Sequence, residues 1–116
     1  MPIIQIKPLS VNEAWQGRRF KTNLYKMYEN AVSLLLPSDY SIPKAKLELW
    51  VEWGFSSDAS DIGNPEKLFT DILSKKYGFN DKKFYGMHLK KVIVEKGKEY
   101  IRFRIKKYDP DKNFFL

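Results

Sequence analysis

Between residues 46 and 53 apolar and polar side chains alternate without a break. Leu47, Leu49, Val51 and Trp53 fall on one side, and Lys46, Glu48, Trp50 and Glu52 on the other. A period of two predicts a half-buried strand, because successive side chains of an extended chain point to opposite faces. Residues 99–107 repeat the pattern, with Ile101, Phe103 and Ile105 inward and Arg102, Arg104 and Lys106 outward. Residues 86–95, running through Leu89, Val92, Ile93 and Val94, predict another strand. The turn Glu95-Lys96-Gly97-Lys98 is expected to pair these two strands directly, with Gly97 able to take a positive φ. Ile3, Ile4 and Ile6 predict a short first strand, ended by Pro8.

Helical spacing occupies two other stretches. From Thr22 to Leu36 the apolar residues Leu24, Met27, Tyr28, Ala31, Leu34 and Leu35 recur at steps of three and four. This predicts a helix with that stripe buried, capped by Thr22 and stopped by Pro37. Asn64-Pro65 predicts the second helix start, an N-cap followed by proline at the first helical position. Leu68, Phe69, Ile72 and Leu73 form its buried stripe, and Gly78 ends it. Residues 8–20 contain Pro, Ser, Asn and Gly with no period and predict a long loop carrying Trp15, Arg18 and Arg19. Shorter loops are expected at 37–44 and 54–63. The order β-α-β-α-β-β predicts an α/β (α+β) fold, a small mixed sheet with helices on one face and the other face open. The whole chain, 1–116, reads as one domain with a C-terminal tail from about residue 108. Asp109-Pro110-Asp111 is expected to leave the fold. Phe114, Phe115 and Leu116 then dock on a partner chain or cap the core.

Composition narrows the function classes. Hydrophobic residues make up 43% of the chain and aromatic residues 16%, too much for a disordered segment. The net charge is +7, with lysine and arginine spread along the whole length. A folded domain with that balance suits a polyanion, nucleic acid above all, although charge also serves plain solubility. With no cysteine, disulfides, zinc–thiolate sites and thiol nucleophiles are excluded. His88, the one histidine, is expected to be an ordinary strand residue without a catalytic role. No apolar stretch approaches the length of a membrane span, and the N-terminus lacks a secretory pattern. A cytoplasmic protein with no membrane partner is expected.

The candidate chemistry lies in Asp61-Ile62-Gly63-Asn64-Pro65-Glu66-Lys67 and in Asp81 beyond the second helix. Metal-assisted phosphodiester hydrolysis needs hard oxygen ligands for Mg²⁺ and a cation to offset the charge of the transition state. Two aspartates and a lysine supply such parts. The intervening helix is about 20 Å long, so Asp61 and Asp81 meet only if the loops fold back or two subunits share a site. Acidic residues are also ordinary turn formers, and spacing alone leaves both readings open.

These residues also carry a resemblance. The run from Asp61 to Lys67, followed by Asp71-Ile72-Leu73 and by Tyr77-Gly78-Phe79-Asn80-Asp81, resembles the RusA family of Holliday junction resolvases of bacteria, phages and prophages. That family carries Asp-x-Asp-Asn-x-x-Lys, a helix and a later acidic residue near Gly-Phe. Ser10-Val11-Asn12-Glu13-Ala14-Trp15, with Arg18 and Arg19 before a helix, is similar to the family's opening segment. The resemblance spans roughly residues 3 to 107. It implies a homodimeric, Mg²⁺-dependent endonuclease (Mn²⁺ as a substitute) that cuts four-way DNA junctions symmetrically in recombination and repair. It further implies Asp61 and Asp81 as catalytic, metal-binding carboxylates, Lys67 as the essential basic catalytic residue near the scissile phosphate, and Asn64 as the motif asparagine.

The chain departs from the family at Gly63, where the second aspartate falls. Asp58 and Glu66 are the nearby carboxylates that could substitute. Without such a substitute, the resemblance implies a protein that binds junctions and cuts them weakly or not at all. A small basic adaptor for protein or RNA is a third alternative. For branched DNA, Arg102, Arg104 and Lys106 form a track with alternate side chains about 6–7 Å apart. Lys90, Lys91, Lys96 and Lys98 add charge nearby, and Arg18, Arg19 and Lys21 form a second cluster. Trp15 and Phe69 are candidate wedges into a junction, with a core position the simpler expectation for Phe69.

Overall fold

The computed structural model describes every residue except Met1, Arg18, Arg19, Asn113, Phe114 and Leu116. Its elements in chain order are β1 (Ile3–Ile4), α1 (Val11–Ala14), β2 (Trp15–Gln16), β3 (Phe20–Lys21), α2 (Asn23–Leu35), β4 (Leu47–Phe55), α3 (Glu66–Tyr77), β5 (Phe84–Ile93) and β6 (Tyr100–Lys107), with a 3₁₀ turn at Asp81–Lys83. The main order is the expected β-α-β-α-β-β. The segment expected to be a loop at 8–20 instead holds the one-turn helix α1 and the two-stranded sheet β2–β3. Ser10 accepts from the Asn12 N–H to start that turn, and Thr22 binds the carbonyls of Glu13 and Ala14 to close the segment. Hydrogen bonding by small polar residues, not hydrophobic period, orders it.

The alternating segment 46–53 becomes the central strand, β4. The four-stranded sheet runs β1-β6-β4-β5, with β5 parallel to β4 and β6 antiparallel to it. The last two strands are therefore not a hairpin. Val94 N–H donates to the Phe55 carbonyl at 2.7 Å, which carries the chain past the end of β4. The turn follows as expected, with Lys98 N–H bonded to Glu95 O and Gly97 at φ 92°. The chain then returns as β6 on the far side of β4. Among β4, β5 and β6, β4 is the most buried.

The core lies between the helices and one face of the sheet. Leu47, Leu49, Val51 and Trp53 of β4 and Ile101, Phe103 and Ile105 of β6 point into it, as their alternation predicts. From α3 come Leu68, Phe69, Ile72 and Leu73. Phe69 packs edge-on against both Trp53 and Phe103, with centroids 5.7 and 5.4 Å away. It is a core residue and is not exposed to wedge into anything. The buried face of α2 shares only Tyr28 with the expected stripe. Tyr25, Tyr28 and Val32 face the core, whereas Leu24, Met27, Leu34 and Leu35 are exposed. Tyr25 is fixed there by the Trp15 ring at 5.4 Å. Thr22 caps α2 as expected, accepting from the Tyr25 N–H.

The open face of the sheet is less open than its alternation suggests. Glu48 is buried there and accepts from the Trp50 indole N–H at 2.9 Å, with His88 Nε2 at 3.3 Å. The Trp50 and His88 rings stack with centroids 3.7 Å apart, and Lys112 Nζ lies 4.1 Å from the Trp50 ring. Tyr108 packs against Tyr85. Residues 108–112 therefore fold back across this face and do not leave the fold. Phe115 is exposed, while Phe114 and Leu116 lie outside the described residues. No helix among the described residues is long and apolar enough to cross a membrane.

Candidate functional site

Helix α3 begins at Glu66, one turn after the loop that holds Asp61. That loop is pinned from below. The Trp53 indole N–H donates to the Ile62 carbonyl at 2.9 Å, and Lys91 Nζ donates to the carbonyls of Asp58 and Ser60. Asn64 is not the helix cap: the cap position is Pro65, with no side-chain bond to the first turn. The Asn64 amide instead lies 3.4 Å from the Asp61 carboxylate, and the first-turn Glu66 N–H is bonded to the Gly63 carbonyl. The two turn residues thus satisfy each other across a tight loop.

Lys67 lies on the first turn of α3 and extends toward solvent, its side chain 66% exposed. Its ammonium reaches Asp81 at 2.9 Å and Asp71 at 3.1 Å. Asp71 is one helical turn on, the i, i+4 spacing that lets side chains meet. Asp81 arrives by a different route. Gly78 takes φ 71° and ends the helix, Asn80 accepts from the Lys82 N–H, and the resulting 3₁₀ turn doubles the chain back. Asp81 is therefore beside the first two turns of α3, and the loops do fold back on this side.

The electrostatics follow the geometry. Hydrogen bonding from Lys67 holds the Asp81 carboxyl below the usual aspartate range, and the Lys82 charge adds to the effect. Hydrogen bonds to Asp81 and then Asp71 push Lys67 above the usual ammonium range. Both directions describe one contact in which Lys67 and Asp81 favour each other's charged form.

Asp61 belongs to a neighbouring feature. With Asn64, Pro65, Ser10, Asn12, Glu13 and Lys7 it lines a cleft of about 370 Å³. The Val11 N–H donates to the Asn64 carbonyl at 3.1 Å. The opening segment and the Asp61–Lys67 run are thus adjacent in space. Among the described residues Asp61 shares no hydrogen bond or ion pair with Lys67, Asp71 or Asp81. No group of three or more His, Cys, Asp or Glu side chains that could hold a metal forms among them either. Two carboxylates on one ammonium nevertheless suit Mg²⁺ chemistry, since that ion is commonly held by one or two carboxylates with waters and substrate phosphates completing its shell.

Of the substitutes for the absent aspartate, Glu66 is turned to the Thr70 hydroxyl at 3.1 Å, and Asp58 is exposed in the loop. Gly63 itself has room: a Cβ built on it meets nothing within 4 Å, and its φ is not positive. Asp71 is the residue that sequence reasoning passed over. It enters the sequence pattern only as part of the run that resembles the family, although its i, i+4 offset from Lys67 is a visible signal.

The expected DNA contacts divide. Arg102 and Lys90 are both paired with Glu52, at 3.3 and 3.6 Å. Lys106 lies over the Trp50 ring, and Arg104 is exposed without an ion pair among the described residues. Lys91 pairs in register with Trp53, on the helix side of β5, where it tethers the loop backbone. Lys90 is on the opposite side, as a period of two requires. Arg18 and Arg19 lie outside the described residues. The β6 row and the Lys67 cluster therefore stand on opposite sides of the sheet. No protein-family model matches the chain, and no curated protein is detectably similar to it in sequence.

Proposed function

We propose that this chain is a Mg²⁺-dependent endonuclease acting on four-way DNA junctions, working as a homodimer. The observation that carries the proposal is the return of Asp81 to Lys67, residues fourteen apart that meet at 2.9 Å. The contact between the opening segment and the Asp61–Lys67 loop supports it as well, because the two stretches that resemble the RusA family are brought together. A net charge of +7 supplies long-range attraction for the phosphates.

In this reading Asp81 and Asp71 would hold the metal, while Asp61 lines the adjoining cleft on a loop held by Trp53 and Lys91. The metal, when bound, lowers the pKa of an attacking water and shields the phosphate. Lys67 exchanges its carboxylate partners for a phosphate oxygen and offsets charge as it builds. Its exposure allows that exchange at little desolvation cost. Asn64 holds the Asp61 carboxylate in place. The basic row on the far side of the sheet is out of reach of a straight duplex seated at Lys67. A branched substrate, with arms leaving in several directions, can meet both.

A second reading has its own observation. Gly63 leaves the loop one carboxylate short of the family pattern, which favours binding without cleavage. One assay separates the two: a labelled four-way junction with and without Mg²⁺, using the native chain, Asp81→Asn and Gly63→Asp. The open space at Gly63 makes the last substitution compatible with the fold. Cutting by the native chain that is lost in Asp81→Asn supports the nuclease. Cutting only by Gly63→Asp supports the binding protein. A preference for junction over duplex below about tenfold, ~1.4 kcal/mol, with no cutting by any variant, sinks both.

A further inference from the structure

The four-stranded sheet has two edges of unequal length. β1, at one edge, is two residues long. β5, at the other, runs ten residues from Phe84 to Ile93, and none of them is buried. A strand with a neighbour on one side only presents a row of backbone N–H and C=O groups on the other, and a long row of that kind is a template for pairing. We propose that this edge receives an extended peptide of another protein as a fifth strand, one in which apolar and acidic residues alternate.

Three observations select that occupant. The first is an unfinished core. Met87, Leu89 and Ile93 stand in register with the buried Leu49, Val51 and Phe55 of β4. Met87 and Leu89 are only half-buried at the margin of the core, and Ile93 is 50% exposed. Apolar side chains at alternate positions of an added strand lie beside them and take that surface out of water. A phosphate backbone has no such side chains, so the strip favours a peptide over nucleic acid. The second is charge. β5 holds His88, Lys90 and Lys91 and no acidic residue, and Lys82 and Lys83 are exposed just before it. The Lys90 side chain is 71% exposed, with Glu52 at 3.6 Å. The remaining positions of the added strand lie beside His88 and Lys90 on the open side of the sheet, where a carboxylate meets opposite charge. The third concerns self-pairing. Two β5 edges set together join two lysine-bearing strands with no acid on either, and like charges across a strand pair destabilise it. A peptide carrying acids has no such cost. None of these residues belongs to the Lys67 cluster, so the inference stands or falls apart from the nuclease reading.

The probe is a fluorescein-labelled peptide of Val-Glu repeated four times. Fluorescence anisotropy with the full chain is expected to show saturable binding, about tenfold or more tighter than for Val-Lys repeated four times, ~1.4 kcal/mol. The same Val-Glu peptide with proline in place of one central valine cannot complete the ladder and should lose about as much. Lys90→Glu should weaken binding of the Val-Glu peptide and strengthen binding of the Val-Lys peptide. No saturable binding of the Val-Glu peptide overturns the proposal, and so does equal binding of its proline form. A second measurement uses the native chain alone and does not depend on how a variant folds. Backbone amide NMR with the Val-Glu peptide should show shifts and slowed hydrogen exchange along Gly86–Ile93. Shifts confined to α2 or α3 overturn the proposal. Slowed exchange along β5 that grows with protein concentration before any peptide is added shows a second copy in the edge and overturns it too.

Discussion

Helices α2 and α3 are nearly equal in length, lie side by side and have clear apolar periodicity, yet they use that periodicity differently. In α3 the apolar stripe Leu68, Phe69, Ile72, Leu73 is the face that enters the core. In α2 most of the stripe that stands out by spacing is exposed, and the buried face is Tyr25, Tyr28 and Val32, with Tyr28 common to both. The difference teaches what periodicity measures. It detects a helix and an apolar side, but a helix with two such sides can bury only one against a single sheet. Neighbours decide which. Trp15 takes the Tyr25 ring edge-on, Lys21 lies over the same ring, and Thr22 fixes the first turn. Tyrosine satisfies that position well, having a broad apolar ring and a polar tip. The leftover stripe on α2 is then available to a partner, whereas the outward side of α3 is charged and holds Lys67 with Asp71.

The sharpest way to break this comparison is to truncate one residue on each stripe. Phe69→Ala should cost about 3–5 kcal/mol of unfolding free energy, because a fully buried ring leaves a cavity between Trp53 and Phe103. Met27→Ala should change the stability of the monomer by less than about 0.5 kcal/mol. Urea unfolding at protein concentrations low enough to keep the chain monomeric reads both. Similar losses at the two positions would mean that the exposed face of α2 is packed after all.

The outward sides come next. Lys67→Met should lower junction cleavage by about a hundredfold or more, ~2.7 kcal/mol at the transition state, with the fold retained. Lys76→Met removes the same charge from the same helix but outside the Lys67 cluster, and should leave cleavage unchanged. Single-turnover cutting of a labelled junction in Mg²⁺ measures both. An equal drop would assign the effect to net charge on α3 rather than to the placement of Lys67.

The two helix starts give a smaller contrast. Thr22 accepts from the Tyr25 N–H at 3.1 Å and also donates to the Glu13 carbonyl at 2.7 Å. Thr22→Ala should cost about 1–2 kcal/mol. Asn64 makes no capping bond to α3, so Asn64→Ala should cost less than about 0.5 kcal/mol in stability. Thermal unfolding of the two variants checks the order. A large loss at Asn64 would place it back among the caps.

What could be read from the sequence follows from how local each cause is. Alternation in β4 and β6 was legible because one face of each strand meets the core, and so were Thr22 as a cap, Gly78 as a stop and Gly97 in its turn. The flanking of β4 by β5 and β6 was not legible, because strand order depends on where Val94 crosses the end of β4, a contact between distant residues. The order within residues 8–20 escaped for another reason: hydrogen bonds from Ser10 and Thr22, with no apolar period, build it. At the candidate site the length of α3 stands between Asp61 and Asp81. The 3₁₀ turn at Asp81–Lys83 returns Asp81 to Lys67, which nothing in the spacing announces, but among the described residues Asp61 shares no hydrogen bond or ion pair with Asp81. The β6 row was legible as outward-facing. Its pairing with Glu52 was not, since that requires knowing that β4 lies beside it.

The smallest effect tests whether the charged side of α3 is one electrostatic unit. Lys67 holds the Asp81 carboxyl below its usual range by a direct hydrogen bond. An aspartate depressed in the folded state favours folding above its unfolded pKa, and that contribution fades as pH falls through the lower folded value. The cluster is exposed, so solvent and salt screen it and the stability at stake is slight. The titration itself is the better readout. Carboxyl ¹³C NMR should find Asp81 titrating below an ordinary aspartate, and Lys67→Met should move it upward. Added salt should move it the same way by less. Met27→Ala on α2 should not move it at all. An Asp81 titration indifferent to Lys67→Met would show that the two groups do not hold each other in solution, and the contrast between a charged α3 face and an apolar α2 face would lose its functional half.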